Sequence, residues 1–168
     1  MLLIIAVLRF LHITAGIFWA GAALLMNLVI APAIGATGDA GKQFAGYLIG
    51  KTAFAKLMVG SALITVLAGT ALYGIDSNWF SSGWMSTGSG IGFGIGAFAG
   101  ILAFIFGILI SKTNGALAAL GAQIQGAPTP EQVSALQAIR KRQAFINPAN
   151  TICMIIAIVL MASARFMG

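Results

Sequence analysis

The sequence predicts an all-α, polytopic membrane protein whose four transmembrane helices form an antiparallel bundle, and three observations carry that expectation. Of 168 residues, 60% are apolar and only 7% charged, whereas a soluble domain carries about 25% charge. The mean hydropathy is +1.01. The nine basic and three acidic residues leave charge-free intervals at 10–38, 57–75, 77–111 and 143–164, and a helix needs about 20 residues to cross a bilayer core. A soluble monomer is excluded. The net charge of +6 does not point to nucleic acid, because the basic residues form no stripe with interleaved aromatics and several mark the edges of apolar spans.

The first helix is expected at about 3–32. Ala20-Gly21-Ala22 resembles a signal-peptide cleavage site, but no Lys or Arg precedes Leu8 and the apolar run continues to Pro32, so the segment reads as a retained helix. The link that follows is expected to hold an interfacial helix from about Asp39, with Phe44, Tyr47 and Leu48 on its apolar side. Helix 2 is expected at about 54–75, bounded by Lys56 and Asp76, and helix 3 at about 88–112, ending at Lys112. Between them Trp79, Phe80 and Trp84 resemble an interfacial aromatic belt.

The link at 113–145 is too long for a featureless loop and reads as a cytoplasmic helical hairpin. In Thr129-Pro130-Glu131-Gln132, the threonine can cap, proline suits the first helical position and the glutamine can reach back to the cap's amide. Gly126 to Pro128 would make the turn, and Asn147-Pro148 a kink or break at the membrane surface. Helix 4 is expected at about 146–166, completing one domain over 1–168.

Lys42, Lys51 and Lys56 in one link, and Lys112, Arg140, Lys141 and Arg142 in another, place both links in the cytoplasm; the loop at 76–87 has no basic residue. Both termini then lie on the non-cytoplasmic side.

Helix faces carry the remaining information. Gly88, Gly92, Gly96 and Gly100 recur every four residues, which makes a bare face suited to close helix packing and implies a homo-oligomer formed through helix 3. The alternative is that these glycines clear room for a flat cofactor or a pore. Helix 1 puts Arg9, His12, Gly16, Trp19, Ala20, Ala23 and Asn27 on one stripe, which should face protein, because ionisable groups in hydrocarbon turn inward or snorkel to head groups. Trp19 and Asn27 would line a pocket there. Helix 4 shows a matching stripe of Asn147, Thr151, Met154, Ile158, Met161 and Arg165. If the stripes meet, Arg9 and Arg165 flank His12 with Asp76 as the one nearby acid.

Three readings of that cluster stay open. The arginines can snorkel to lipid phosphates while His12 makes a structural hydrogen bond. His12 can ligate haem b or copper, with Met154 or Met161 as a second ligand and Arg9 with Arg165 pairing the propionates or another anion. Or the cluster is an anion or proton step in a transporter or channel. A non-catalytic accessory subunit, bound to a partner membrane protein, is the remaining class. No catalytic constellation is legible: the three carboxylates fall in links, and one histidine and one cysteine, Cys153, exclude bis-histidine haem within a subunit and any CxxC site.

Leu11-His12, Trp19-Ala20-Gly21 and Ala31-Pro32, together with the closing Met161-Ala162-Ser163-Ala164-Arg165-Phe166-Met167, resemble small bacterial four-helix membrane proteins of the CopD-like and HemJ-like kinds. The resemblance covers helix 1 and the end of helix 4. It implies a bacterial inner-membrane location, copper or haem handling, and His12 as a site residue.

Overall fold

A computed structural model describes all residues, Met1–Gly168. The chain is 89% helical and has no strand. Helix α1 runs over Leu2–Ala36 with a π-helical turn at Met26–Ile30, followed by α2 at Gly38–Lys51 and α3 at Phe54–Asp76. After the short α4 at Ser82–Met85 come α5 at Gly88–Gln123 and α6 at Pro130–Ser163, which closes in a 3-10 turn at Ala164–Phe166.

Helices α1, α3, α5 and α6 are long and apolar enough to cross a membrane, and the chain is a multi-pass membrane protein. They form an antiparallel ring in which α1 packs along α3 and α5 along α6, with the two pairs joined through α3–α5 and α1–α6. Only 20 residues are buried, most of them small. Ile17, Leu67, Phe98, Phe145 and Val159 point outward instead, as an apolar bundle surface does when lipid is its solvent.

Two of the expected spans are too short. At 1.5 Å per residue the 36 residues of α5 extend about 54 Å, and α6 begins at Pro130 rather than near 146. The hairpin at 113–145 is therefore the continuation of two spanning helices, turning over 124–129. The capping box forms as read: the Gln132 amide donates to Thr129 Oγ1 at 3.3 Å, and the Thr129 amide donates to Gln132 Oε1 at 2.9 Å. No break occurs at Asn147-Pro148. The helix passes through Pro148, because packing against α5 on both sides holds it in one rod; Gln143 Nε2 donates to Asn114 Oδ1 at 2.9 Å just before the proline.

The helix expected in the first link is present as α2, with Phe44 and Tyr47 exposed. Its first turn holds Asp39, whose carboxylate accepts from Lys42 Nζ at 2.7 Å, and that hydrogen bond and positive charge hold Asp39 below the usual carboxylate range. At the opposite end, Asn78, Trp79 and Phe80 are all left-handed, with φ of 47°, 56° and 68°, a costly run for residues with Cβ atoms. The buried Ser77 holds the turn by donating to Gly74 O at 3.3 Å and accepting from the Phe80 amide at 2.9 Å. Trp79 and Phe80 stay exposed, while Trp84 tucks in against Tyr73 and Phe93.

Candidate functional site

The inward stripe of α1 is real. Trp19 and Ala23 are buried, Gly16 lies against Thr65 of α3, and His12 faces the same helix. Its Nδ1 is 2.8 Å from the carbonyl oxygen of Thr65. A carbonyl can only accept, so Nδ1 carries a proton, and in the neutral imidazole the lone pair is then on Nε2. Gly69 makes the approach possible: a Cβ there would lie 2.6 Å from His12 Cε1.

One turn outward, Arg9 Nη2 lies 3.7 Å from Asp76 Oδ2, with the side chains 59% and 37% exposed. A pair that long and open is loose, so the guanidinium retains most of its capacity for another anion. Arg165 does not join it. It projects from the terminal turn, exposed, with its guanidinium 5.6 Å from the Phe166 ring, and it forms no ion pair with Asp76.

The methionines take packing places. Met154 is 2% exposed in a cluster with Trp19, Ala23, Ala62 and Ala103, and the Trp19 ring meets Phe104 edge-on at 6.3 Å. Trp19 therefore fills the core rather than lining a pocket. Met161 folds over Gly96, where a Cβ would lie 3.4 Å from its Cε. The expected stripe on the last helix is also turned: Ile158 is 42% exposed, and the buried positions are Ile146, Asn150, Met154, Ala157 and Ala164. The stripe shifted because α6 seats on the glycines of α5 as well as on α1.

That seating reassigns the glycine face. A Cβ on Gly92 would lie 2.9 Å from Ala164 Cβ, one on Gly96 3.2 Å from Leu160 Cβ, and one on Gly100 4.0 Å from Ala157 Cβ. At Gly88 the clash would be with the carbonyl of Met167. The small-residue face expected to join copies of the chain is covered by the chain's own α6, which leaves any homo-oligomer to form through another surface.

A second polar cluster lies toward the end of the bundle away from His12. Asn27, placed within the π-helical turn, donates from Nδ2 to Asn150 Oδ1 at 3.2 Å and to Thr151 Oγ1 at 3.1 Å. Asn150 is 3% exposed and donates to the carbonyl of Ala103 on α5 at 2.8 Å, tying three spanning helices together. Asn27 is thus a network residue, not a pocket wall. Asn150 stands three residues after Asn147 and four before Met154 and so borders the stripe drawn through Asn147, Thr151 and Met154; the signal was a third polar side chain within five apolar-helix positions, an expensive choice in hydrocarbon.

An apolar recess of about 200 Å³ at the α1–α2 corner, lined by Ile30, Ile34, Thr37 and Phe44 among others, presents no ligating group: the Thr37 hydroxyl is spent on Ala33 O at 2.7 Å. Set against family models, curated proteins and solved structures, the chain matches none.

Proposed function

We propose that this chain is a bacterial inner-membrane protein that handles haem b, with His12 as the residue that would hold the iron and both termini on the non-cytoplasmic side. The observation that supports it is the hydrogen bond between the His12 ring and the Thr65 carbonyl. A histidine that donates Nδ1–H to a main-chain carbonyl, at 2.8 Å here, has its ring plane fixed and its other nitrogen turned away from that bond, as a ligating imidazole commonly does. Bound haem would supply one-electron chemistry. Thr65 orients the ring, Gly69 leaves the ring its space, and Arg9, only loosely held by Asp76, is placed to pair with a propionate.

Copper fits the donor set less well. A copper site draws on several soft or imidazole ligands, whereas Met154 and Met161 are engaged in packing and the chain has one histidine. Haem needs only one protein ligand. The resemblance of the first helix to CopD-like and HemJ-like proteins supports copper or haem handling without choosing between them, and the basic links at 42–56 and 112–142 support the orientation.

The test is optical. Purified protein supplemented with haem is expected to show a Soret band that His12→Ala abolishes and Gly69→Ala, by displacing the imidazole, weakens at least tenfold in affinity, while Met161→Leu leaves it intact. A Soret band that survives in His12→Ala, or a colourless wild type after supplementation, rejects the reading.

A further inference from the structure

We propose that the end of the bundle carrying Lys51, Lys56, Lys112, Arg140, Lys141 and Arg142 is a docking surface for anionic phospholipid headgroups, independent of His12. Charge is spread unevenly over the molecule. The two basic links and the helix ends beside them hold seven of the nine basic residues, with Asp39 and Glu131, while the opposite end holds Arg9 and Arg165 with Asp76. The ion pairs of the chain are Arg9–Asp76 and Lys42–Asp39. Glu131 stands nine residues before Arg140, about 13 Å along α6. The six cations therefore have no carboxylate partner, and all six are exposed.

Helix length sets these cations at one depth. Lys56 lies 20 residues from Asp76 on α3, Lys112 lies 24 residues from Gly88 on α5, and Arg142 lies 23 residues from Arg165 at the close of α6, or about 30, 36 and 35 Å. Each distance is about the thickness of a hydrocarbon core, so a membrane that takes in the apolar stretches leaves all three basic groups in one headgroup layer. The 2.9 Å hydrogen bond from Gln143 to Asn114 fixes the register of α6 against α5 and keeps Lys112 and Arg142 within about one turn of each other in height.

The side chains beside the cations suit lipid. Lys141 and Arg142 precede Phe145 by four and three residues, on its flank of α6, and Phe145 is 68% exposed with its ring edge-on to Phe106 at 6.5 Å. On α2, Phe44, Tyr47, Leu48 and Lys51 share one face, and Tyr47 is 65% exposed. Aromatic rings next to basic groups at a span's edge match a membrane interface. Arg140, two residues from Arg142, points to another flank of α6. The positive charges are thus spread around a rim rather than gathered on one point, which fits a layer of phosphates better than a single soluble ion. Zwitterionic headgroups offer such a rim no net charge, whereas anionic ones attract it over a Debye length of about 8–10 Å.

Haem-free full-length protein in phosphatidylcholine vesicles, with a trace of spin-labelled lipid, provides the test, because the motionally restricted part of the EPR spectrum reports which lipid contacts the protein. Labelled phosphatidylglycerol is expected to be preferred over labelled phosphatidylcholine by about threefold at low salt, falling toward parity at high salt. Arg165→Gln, at the opposite end, should keep that preference. The pair Lys141→Gln and Arg142→Gln should roughly halve it, and adding Lys51→Gln and Lys56→Gln should abolish it. Parity in the wild type at low salt, a preference that salt does not weaken, or one unchanged in the fourfold variant would overturn the proposal. So would inorganic phosphate that removes the preference at an ionic strength where chloride does not, since the end would then bind a soluble anion. If the fourfold variant does not fold, the wild-type salt series and the Lys141/Arg142 pair decide. Haem is absent throughout, so the haem reading stands or falls separately.

Discussion

The two helix pairs of the bundle are joined by different physics. Along α5 and α6 the glycines at 88, 92, 96 and 100 bring backbone against backbone and small side chains, so the contact is one of shape, worth many small dispersion gains. Along α1 and α3 the contact includes a hydrogen-bonded imidazole and a loose ion pair, and the one glycine that matters most, Gly69, makes room for a ring rather than for a helix. The lesson is that glycine spacing marks the close interface, whereas a single glycine opposite a polar side chain marks the chemical one. Asn150 then fastens the pairs to each other by reaching both Asn27 and Ala103.

Substitutions can break or sharpen that contrast. The largest effect is expected from Gly92→Leu: its Cβ alone would meet Ala164 at 2.9 Å, and forcing a branched side chain into that seam should cost about 3 kcal/mol, measured as lost thermal stability in detergent. An unchanged Tm would show that α6 does not seat on α5 as described. Asn150→Leu should come next, at about 1–2 kcal/mol, since it removes the side-chain donor to the Ala103 carbonyl and one acceptor of Asn27. Replacing the same residue with Asp in a double variant with Asn27→Leu tests whether the two effects couple, as neighbours in one network should.

A gain is expected at the loose end of the glycine seam. Gly100→Ala places a Cβ 4.0 Å from Ala157 Cβ, ordinary contact, so it should stabilise by about 0.5–1 kcal/mol through restricted backbone freedom; destabilisation would mean the seam is tight along its whole length. The smallest effect lies outside the bundle. Asp39, lowered chiefly by its hydrogen bond to Lys42 and then by that residue's charge, favours the folded α2 above the ordinary carboxylate pKa and loses that contribution as pH falls through its lowered folded value. Carbon-detected NMR should find Asp39 titrating below the normal range, and Lys42→Met should return it there.

Much of this could be read from residues alone. The hydrophobic runs fixed the number of spans, Thr129 and Gln132 the start of α6, and the spacing of His12, Gly16, Trp19 and Ala23 the inward face of α1. The candidate site was half legible. His12 and Arg9 stood out as ionisable groups in an apolar helix, but Met154, Met161 and Arg165 were grouped with them on helical periodicity, and periodicity says only which residues share a face, not what that face meets.

What the sequence determined by itself is therefore local and one-dimensional: hydropathy, capping and helical phase depend on neighbours along the chain, and those are fixed by covalent order. Tertiary structure decided everything that needs a partner: that α6 rather than a second copy covers the glycines, that the Thr65 carbonyl holds the His12 ring, and that Asn27 in the π-helical turn comes to lie against Asn150 and Thr151. In lipid, apolar faces are nearly interchangeable because burying them releases no water. Which surfaces meet is then chosen by close fit and by scarce polar groups, and both exist only once the helices are side by side.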